Sequence, residues 1–259
     1  MKRSKWRRIS GMSGLIFLIA GLMVICQTKA NASDVYVYAE GAYDDEYLDV
    51  YIYADINVPD VLSYGVRLIY EPLELTVESA EKFATQPPYT DYYNMWHMGE
   101  GPLSDNPQPD TATYSDAVIF IGATFTSANP TAGVGNAPRV FLGKVRFVPS
   151  GDFMPTAPVL NLSYARGEGT GSFKNFVQYV GGDPPGVAID GNGLVFGSVN
   201  VAERGDANLD GNINVFDAAV VRDIFFGLAS PTCYADCTGD GIINVFDAAC
   251  VRDKFFGLR

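Results

Sequence analysis

Histidine is all but missing from this chain: among 259 residues His97 is the only imidazole. A Ser-His-Asp site would have to be centred on that one side chain, so nucleophilic catalysis of that kind is not expected. Cysteine is scarce as well. Cys26 sits near the N-terminus, and Cys233, Cys237 and Cys250 fall close to the C-terminus, so no disulfide framework can hold the body of the chain together. Three cysteines in one region leave one thiol free or paired elsewhere, and the residues do not choose the pair. A membrane-spanning run is lacking too. The apolar stretch from Gly14 to Cys26 is well short of the ~20 residues needed to cross a bilayer.

That stretch reads instead as an export signal. Lys2, Arg3, Lys5, Arg7 and Arg8 precede it and the small residues Ala30 and Ala32 follow, which predicts cleavage after Ala32 and a secreted chain with no membrane insertion. Cys26 follows Val24 and Ile25 rather than a small residue, so lipid attachment there is not expected. Cleavage takes away six of the 18 basic residues and none of the 30 acidic ones, which leaves a net charge near −18. Basic charge is therefore the other thing this protein lacks. So acidic a surface repels nucleic acid and anionic lipid and excludes both as partners. It suits a divalent cation.

The strongest positive signal is a duplication. GDANLDGNINVFDAAVVRDIFFGL, from Gly205 to Leu228, recurs as ADCTGDGIINVFDAACVRDKFFGL, from Ala235 to Leu258, thirty residues on. Each copy opens with oxygen-bearing side chains on alternate residues, the pattern a hard cation in a tight loop requires. In the first copy Asp206, Asn208 and Asp210 take loop positions one, three and five, and Gly211 permits the turn at six. Asn212 offers its carbonyl, Asn214 stands at nine and Asp217 closes the loop at twelve. The second copy supplies Asp236, Thr238, Asp240, Gly241, the carbonyl of Ile242, Asn244 and Asp247. Three carboxylates about 5 Å apart repel by roughly 3 kcal/mol per pair at an effective dielectric near 20, and a divalent ion reverses that sign. Two Ca²⁺ ions, one per repeat, are thus expected to be a condition of folding. Zinc is disfavoured by the oxygen donors and magnesium by the size of the shell. The competing reading is a pair of Asx-rich surface turns, which the in-register duplication argues against. Thr238, shorter than an amide, should weaken the second site. Ile213 and Ile243, at position eight, are expected to point into a small core.

After each loop the pattern turns helical, with Ala218, Val221 and Phe225 mirrored by Ala248, Val251 and Phe255, and Gly227 or Gly257 ends the run. No amphipathic helix precedes either loop, so each unit is half of an EF-hand. The segment from Gly205 to Arg259 resembles a type I dockerin. The resemblance implies a calcium-dependent module that binds a cohesin domain of another protein, with partner choice at loop positions ten and eleven and helix positions seventeen and eighteen. Here those are Val215, Phe216, Arg222 and Asp223, and in the second copy Val245, Phe246, Arg252 and Asp253. Val-Phe departs from the small or hydroxylated pairs seen in several well-known dockerins, so partner identity does not carry over. The alternative for Phe216 and Phe246 is core packing. Because both copies carry the same set, two interchangeable binding orientations are expected.

From Ser33 to about Asn200 a helical period is absent. Leu48, Val50, Ile52, Ala54, Ile56 and Val58 alternate with polar residues, one face buried and the other wet. Further strands are predicted at Val35 to Ala39, Tyr64 to Tyr70, Leu73 to Glu78, Ala117 to Thr124, Val140 to Val148, Val159 to Tyr164 and Val187 to Phe196. The last is split by a hairpin turn at Asp190 to Gly193. The count suits a mainly β fold, an antiparallel jelly-roll β-sandwich, followed by the small α-helical module. The segments Ala54 to Leu75, with its N-V-P turn and Y-E-P strand end, and Val140 to Asp152, with L-G-x-V-x-F, resemble a cohesin domain. That likeness implies a dockerin as a further partner. Between Lys82 and Asp116 a turn-rich insertion carries Tyr89, Tyr92, Tyr93, Trp96 and His97. It reads as a loop pinned to the sandwich edge or as a glycan platform, which makes polysaccharide an alternative ligand. Asp44, Asp45 and Glu46 read as a solvated loop rather than as paired glycosidase carboxylates. The expected organisation is a signal peptide at 1–32, a sandwich at 33–200, a linker at 201–204 and the dockerin at 205–259, together a non-catalytic secreted adaptor.

Overall fold

The computed structural model describes residues 33–44, 46–82, 95–100, 116–123, 137–151, 153–155, 158, 160–165, 175–181 and 186–258. The expected signal peptide, Asp45, Tyr89, Tyr92 and Tyr93 lie outside them.

Alternation of apolar and polar residues builds the first sheet. Strand β1 (Val35–Tyr43) turns Val35, Val37 and Ala39 inward, and β2 (Leu48–Ile56) does the same with Leu48, Val50, Ile52, Ala54 and Ile56, none more than 2% exposed. Strand β7 (Val140–Pro149) adds Leu142, Val145 and Phe147, with a register shift opposite Ile52 and Tyr53 that re-aims its first residues. With β4 (Leu75–Lys82) and β11 (Leu194–Glu203) the sheet runs β11-β1-β2-β7-β4. The second sheet is centred on β3 (Val61–Tyr70), which is buried along its length. It pairs with β6 (Asp116–Ala123) on one side and with β8 (Leu160–Tyr164) and β9 (Val177–Tyr179) on the other. The edges are β5 (Met95–Glu100) and β10 (Gly186–Ala188). Between the sheets Ile52, Val66, Leu68, Phe120, Phe147 and Phe176 form one apolar core. Gly143 leaves room for the facing sheet, since a Cβ there would stand 2.7 Å from the Phe120 ring.

This is the expected β-sandwich, with several departures. Among the described residues the pairing is antiparallel except between β1 and β11, which run parallel from Val35 beside Leu194 to Tyr43 beside Glu203. Asp190 to Gly193 is no hairpin: it forms a short 3-10 turn between β10 in one sheet and β11 in the other. Leu73 lies in the turn after β3, 78% exposed, and Val58 lies in the turn after β2. The region expected as an insertion contains β5, whose backbone places Trp96 opposite Phe120 and His97 opposite Ile119.

The largest correction concerns residues 201–204. Val201 to Glu203 are the end of β11, and Arg204 is 3% exposed rather than part of a linker. Its Nη2 donates to Asp49 Oδ2 at 2.8 Å, its Nε faces Asp44 Oδ2 at 3.3 Å, and its Nη1 donates to the carbonyl of Asp236 at 3.3 Å. Asp49 belongs to the face of β2 read as wet, yet it is fully buried. Arg146 grips it with two bonds of 2.7 and 2.8 Å, and Lys144 stands at 3.3 Å. Beside this network the 3-10 turn Cys233–Ala235 lies on the outer face of β1. The Cys233 N–H donates to Glu40 Oε2, the Tyr234 hydroxyl donates to the Asn200 carbonyl, and Tyr234 packs with Cys233 on Ala42. The described residues of the sandwich and of the two repeats thus belong to one compact unit.

Burial alone would push the Asp49 carboxyl up, but the Arg146 hydrogen bond and the charges of Lys144, Arg204 and Arg146 hold it below its ordinary 3.8. A carboxyl depressed in the folded state stabilises fully above its unfolded pKa and loses that contribution as pH falls through its folded value. Asp49→Asn is therefore expected to cost about 3 kcal/mol at pH 7, where it strands the buried Arg204 charge. Urea titrations should show that deficit shrinking below pH 4 or so, as the native carboxylate protonates.

Candidate functional site

The two loop–helix repeats are built alike. Helix α1 (Val215–Phe225) starts at Asn214, whose side chain accepts from the Phe216 N–H while Asp217 accepts from the Asn214 N–H, a closed capping box. Helix α2 (Val245–Phe255) repeats this with Asn244, Phe246 and Asp247. Both helices end two residues before a glycine with positive φ, Gly227 at 69° and Gly257 at 65°. Val221 and Val251, both fully buried, meet Ala207, Ala235, Cys237 and Cys250, with Ile213 and Ile243 packed against them as expected. Phe225 and Phe255 depart from that expectation and are about half exposed.

In the first loop Asp206 accepts from the N–H groups of Asp210 and Gly211, and Asp217 reaches back across the loop to accept from Asn208 N at 3.0 Å. Asn208, Asp210 and Asn214 each accept from the backbone two residues ahead. The second loop matches it through Asp236 and Asp247. Gly211 and Gly241, at φ 81° and 85°, make the sharp bend. Among the described residues the carboxylates do not draw into a group of three that would hold an ion by themselves. The donor set is completed by Asn208, Asn214 and the Asn212 carbonyl, or by Thr238, Asn244 and the Ile242 carbonyl. It is all oxygen and mostly anionic or amide, which fits a hard divalent cation. Burial pushes the Asp217 carboxyl up, and although backbone bonds from Asn208 and Asn214 oppose this, the charges of Asp206 and Asp210 add to it.

The repeats differ in how they are tied down. Cys237 and Cys250 form a disulfide across the second loop, and Cys233 is the buried free thiol. Closing 13 residues in this way is worth about 3 kcal/mol in the chain-entropy picture. Thr238 donates its hydroxyl to Asp247 at 2.9 Å, a bond with no counterpart at Asn208. Lys254, where the first copy has Ile224, donates to the Arg204 carbonyl at 2.7 Å.

Every residue expected at a partner surface lies on the outside or partly so. Val215 and Phe216 are 64% and 68% exposed, Val245 and Phe246 59% and 70%, which overturns the core-packing alternative. Arg222 and Arg252 each pair with the next aspartate, Asp223 or Asp253, at 2.7 and 2.6 Å. The pattern missed Phe226, Leu228, Phe256 and Leu258, all at least 64% exposed. Their signal was available, since an F-F-G-L run at a helix end offers more apolar residues than a two-helix core can cover.

A duplicated ion-loop and helix with a repeated exposed apolar face defines a small docking module. Residues 204–255 match the family model of the dockerin type I domain. No curated protein matches. Among solved structures, the chain is similar to the third cohesin of ScaC in complex with the ScaB dockerin from Acetivibrio cellulolyticus, at 13% identity over 64% of this chain and 98% of that one, with a TM-score of 0.37. A type I cohesin–dockerin complex from Clostridium thermocellum gives 13%, 68%, 99% and 0.37. The non-cellulosomal cohesin from the archaeon Archaeoglobus fulgidus gives 12%, 64%, 87% and 0.27.

Asp217 holds two backbone groups and caps α1 even without an ion. Asp217→Ala is expected to cost about 1–2 kcal/mol through the lost cap alone, measured by denaturation in excess chelator.

Proposed function

We propose that this protein is a secreted, non-catalytic adaptor that docks onto a cohesin domain through its C-terminal module, with one Ca²⁺ in each loop. The single observation that carries this is the pair of equivalent apolar faces, Val215 with Phe216 and Val245 with Phe246, standing exposed directly after loops of oxygen donors. Bulky apolar side chains held outward on rigid helix starts are suited to burial against a partner. Calcium would be held in the first loop by Asp206, Asn208, Asp210, Asn214, Asp217 and the Asn212 carbonyl. In the second it would be held by Asp236, Thr238, Asp240, Asn244, Asp247 and the Ile242 carbonyl. The ion neutralises the clustered carboxylates and fixes each helix start.

The β-sandwich is read as a cohesin-like domain on the N-V-P turn after β2 and the inward Leu142, Val145 and Phe147 of β7. A chain carrying both halves of such a pair would associate head to tail into open chains. Calorimetry of the full chain with isolated cohesin domains, with and without chelator, tests the first reading, and sedimentation in calcium tests the second. Glycan recognition draws little support from the described surface. The row of Tyr38, Tyr53 and Phe141 across β1, β2 and β7 is tilted ring against ring, and Arg139 lies 4.0 Å over the Tyr53 ring. The Tyr53 face is thus already occupied.

With two equivalent faces, Phe216→Ala or Phe246→Ala alone should weaken cohesin binding by only about twofold, because the other orientation survives. The double variant should lose at least about 2 kcal/mol, as removal of an aromatic anchor does. Strongly unequal single variants would refute the two-orientation reading.

A further inference from the structure

The two copies are near-identical in sequence but not in surroundings. The second loop is held by groups that need no ion: the Arg204 guanidinium on the Asp236 carbonyl, Lys254 on the Arg204 carbonyl, the Cys237–Cys250 bridge and the Thr238 hydroxyl on Asp247. The turn that enters it is fixed to β1 and β11 by Glu40 and Asn200. Gly239 leaves room for this contact, since a Cβ there would meet the Arg204 guanidinium at 3.3 Å. The first loop runs straight out of β11 and is tied at its entry, where the Gly205 N–H donates to the Tyr234 carbonyl and the Asp206 N–H to the Glu203 carbonyl. Past that point it is held by bonds within the loop, to Asp206 and Asp217. It stands over a groove of about 540 Å³ lined by Tyr43, Val199, Val201, Asp206, Leu209 and Ile213, and Leu209 is half exposed.

Resting on the dockerin reading, we propose that calcium gates only the first docking face. The β-sandwich, acting through Arg204, keeps the second loop and α2 folded at calcium concentrations where the first loop and α1 have opened. The face built on Val245 and Phe246 then remains presented in calcium-poor surroundings, and that built on Val215 and Phe216 appears only when the ion binds. Thr238 fits this division: its hydroxyl is engaged with Asp247, so the second loop trades part of its affinity for an ion against self-sufficiency.

Hydrogen exchange of the full chain, followed by mass spectrometry in saturating calcium chloride and in excess EGTA, tests the proposal. Chelation is expected to deprotect residues 206–226 while residues 236–256 stay protected. Arg204→Met should abolish that difference and raise exchange in the second repeat by at least about tenfold in EGTA, as loss of a charge-assisted buried hydrogen bond implies. Lys254→Ile, which leaves the ion pairs of Arg204 in place, should raise it less. Equal deprotection of both repeats in the unaltered chain overturns the proposal and leaves the calcium requirement standing. So does second-repeat protection that survives both variants. If neither repeat responds to EGTA, the calcium reading falls with it.

Discussion

The structure depends on one buried charge. Arg204 ends the last strand of the sandwich and begins the docking module, and the fully buried Asp49 neutralises it with Arg146 and Lys144 packed around the same carboxylate. Burying Asp49 and Arg204 is tolerable only because they pair with each other and because the partly exposed Arg146 holds the same carboxylate with two bonds. Such a network does more for geometry than for free energy. It sets the angle at which the helices leave the sandwich, where a flexible tether would set none.

Geometry at this junction is why the two repeats, alike in sequence, are held by different contacts. Helix starts, loop turns and capping boxes are local and repeat faithfully, because each is written within a dozen residues. Surroundings do not repeat. The first copy leaves the end of β11 directly, while the second is reached by the Arg204 guanidinium, and its substitutions (Lys254 for Ile224, Thr238 for Asn208, Cys250 for Val220) meet that residue or close the loop internally.

The same contrast decides what could be read from the sequence. Alternation in β2 and the duplicated loops were legible because each signal repeats over short distances, whereas the Val-Phe pairs were singled out through the resemblance to dockerins, with core packing left open. Asp49 was misread as solvated because its partner Arg204 lies 155 residues away, and no periodicity encodes a pairing at that range. Residues 201–204 were read as a linker for the same reason: a strand end pairing with the first strand of the chain leaves no local mark. The disulfide could not be assigned because three cysteines lie within reach of one another, and only the fold shows Cys233 turned toward Glu40 while Cys237 meets Cys250.

The parallel pairing of β1 with β11 has a mechanical consequence. Tension applied between the start of the sandwich at Val35 and the docking module beyond Glu203 pulls these neighbouring strands from opposite ends. Their ladder would have to yield in shear, all rungs together, rather than unzip one rung at a time. A protein wired in this way resists tension along that line more than a hairpin edge would.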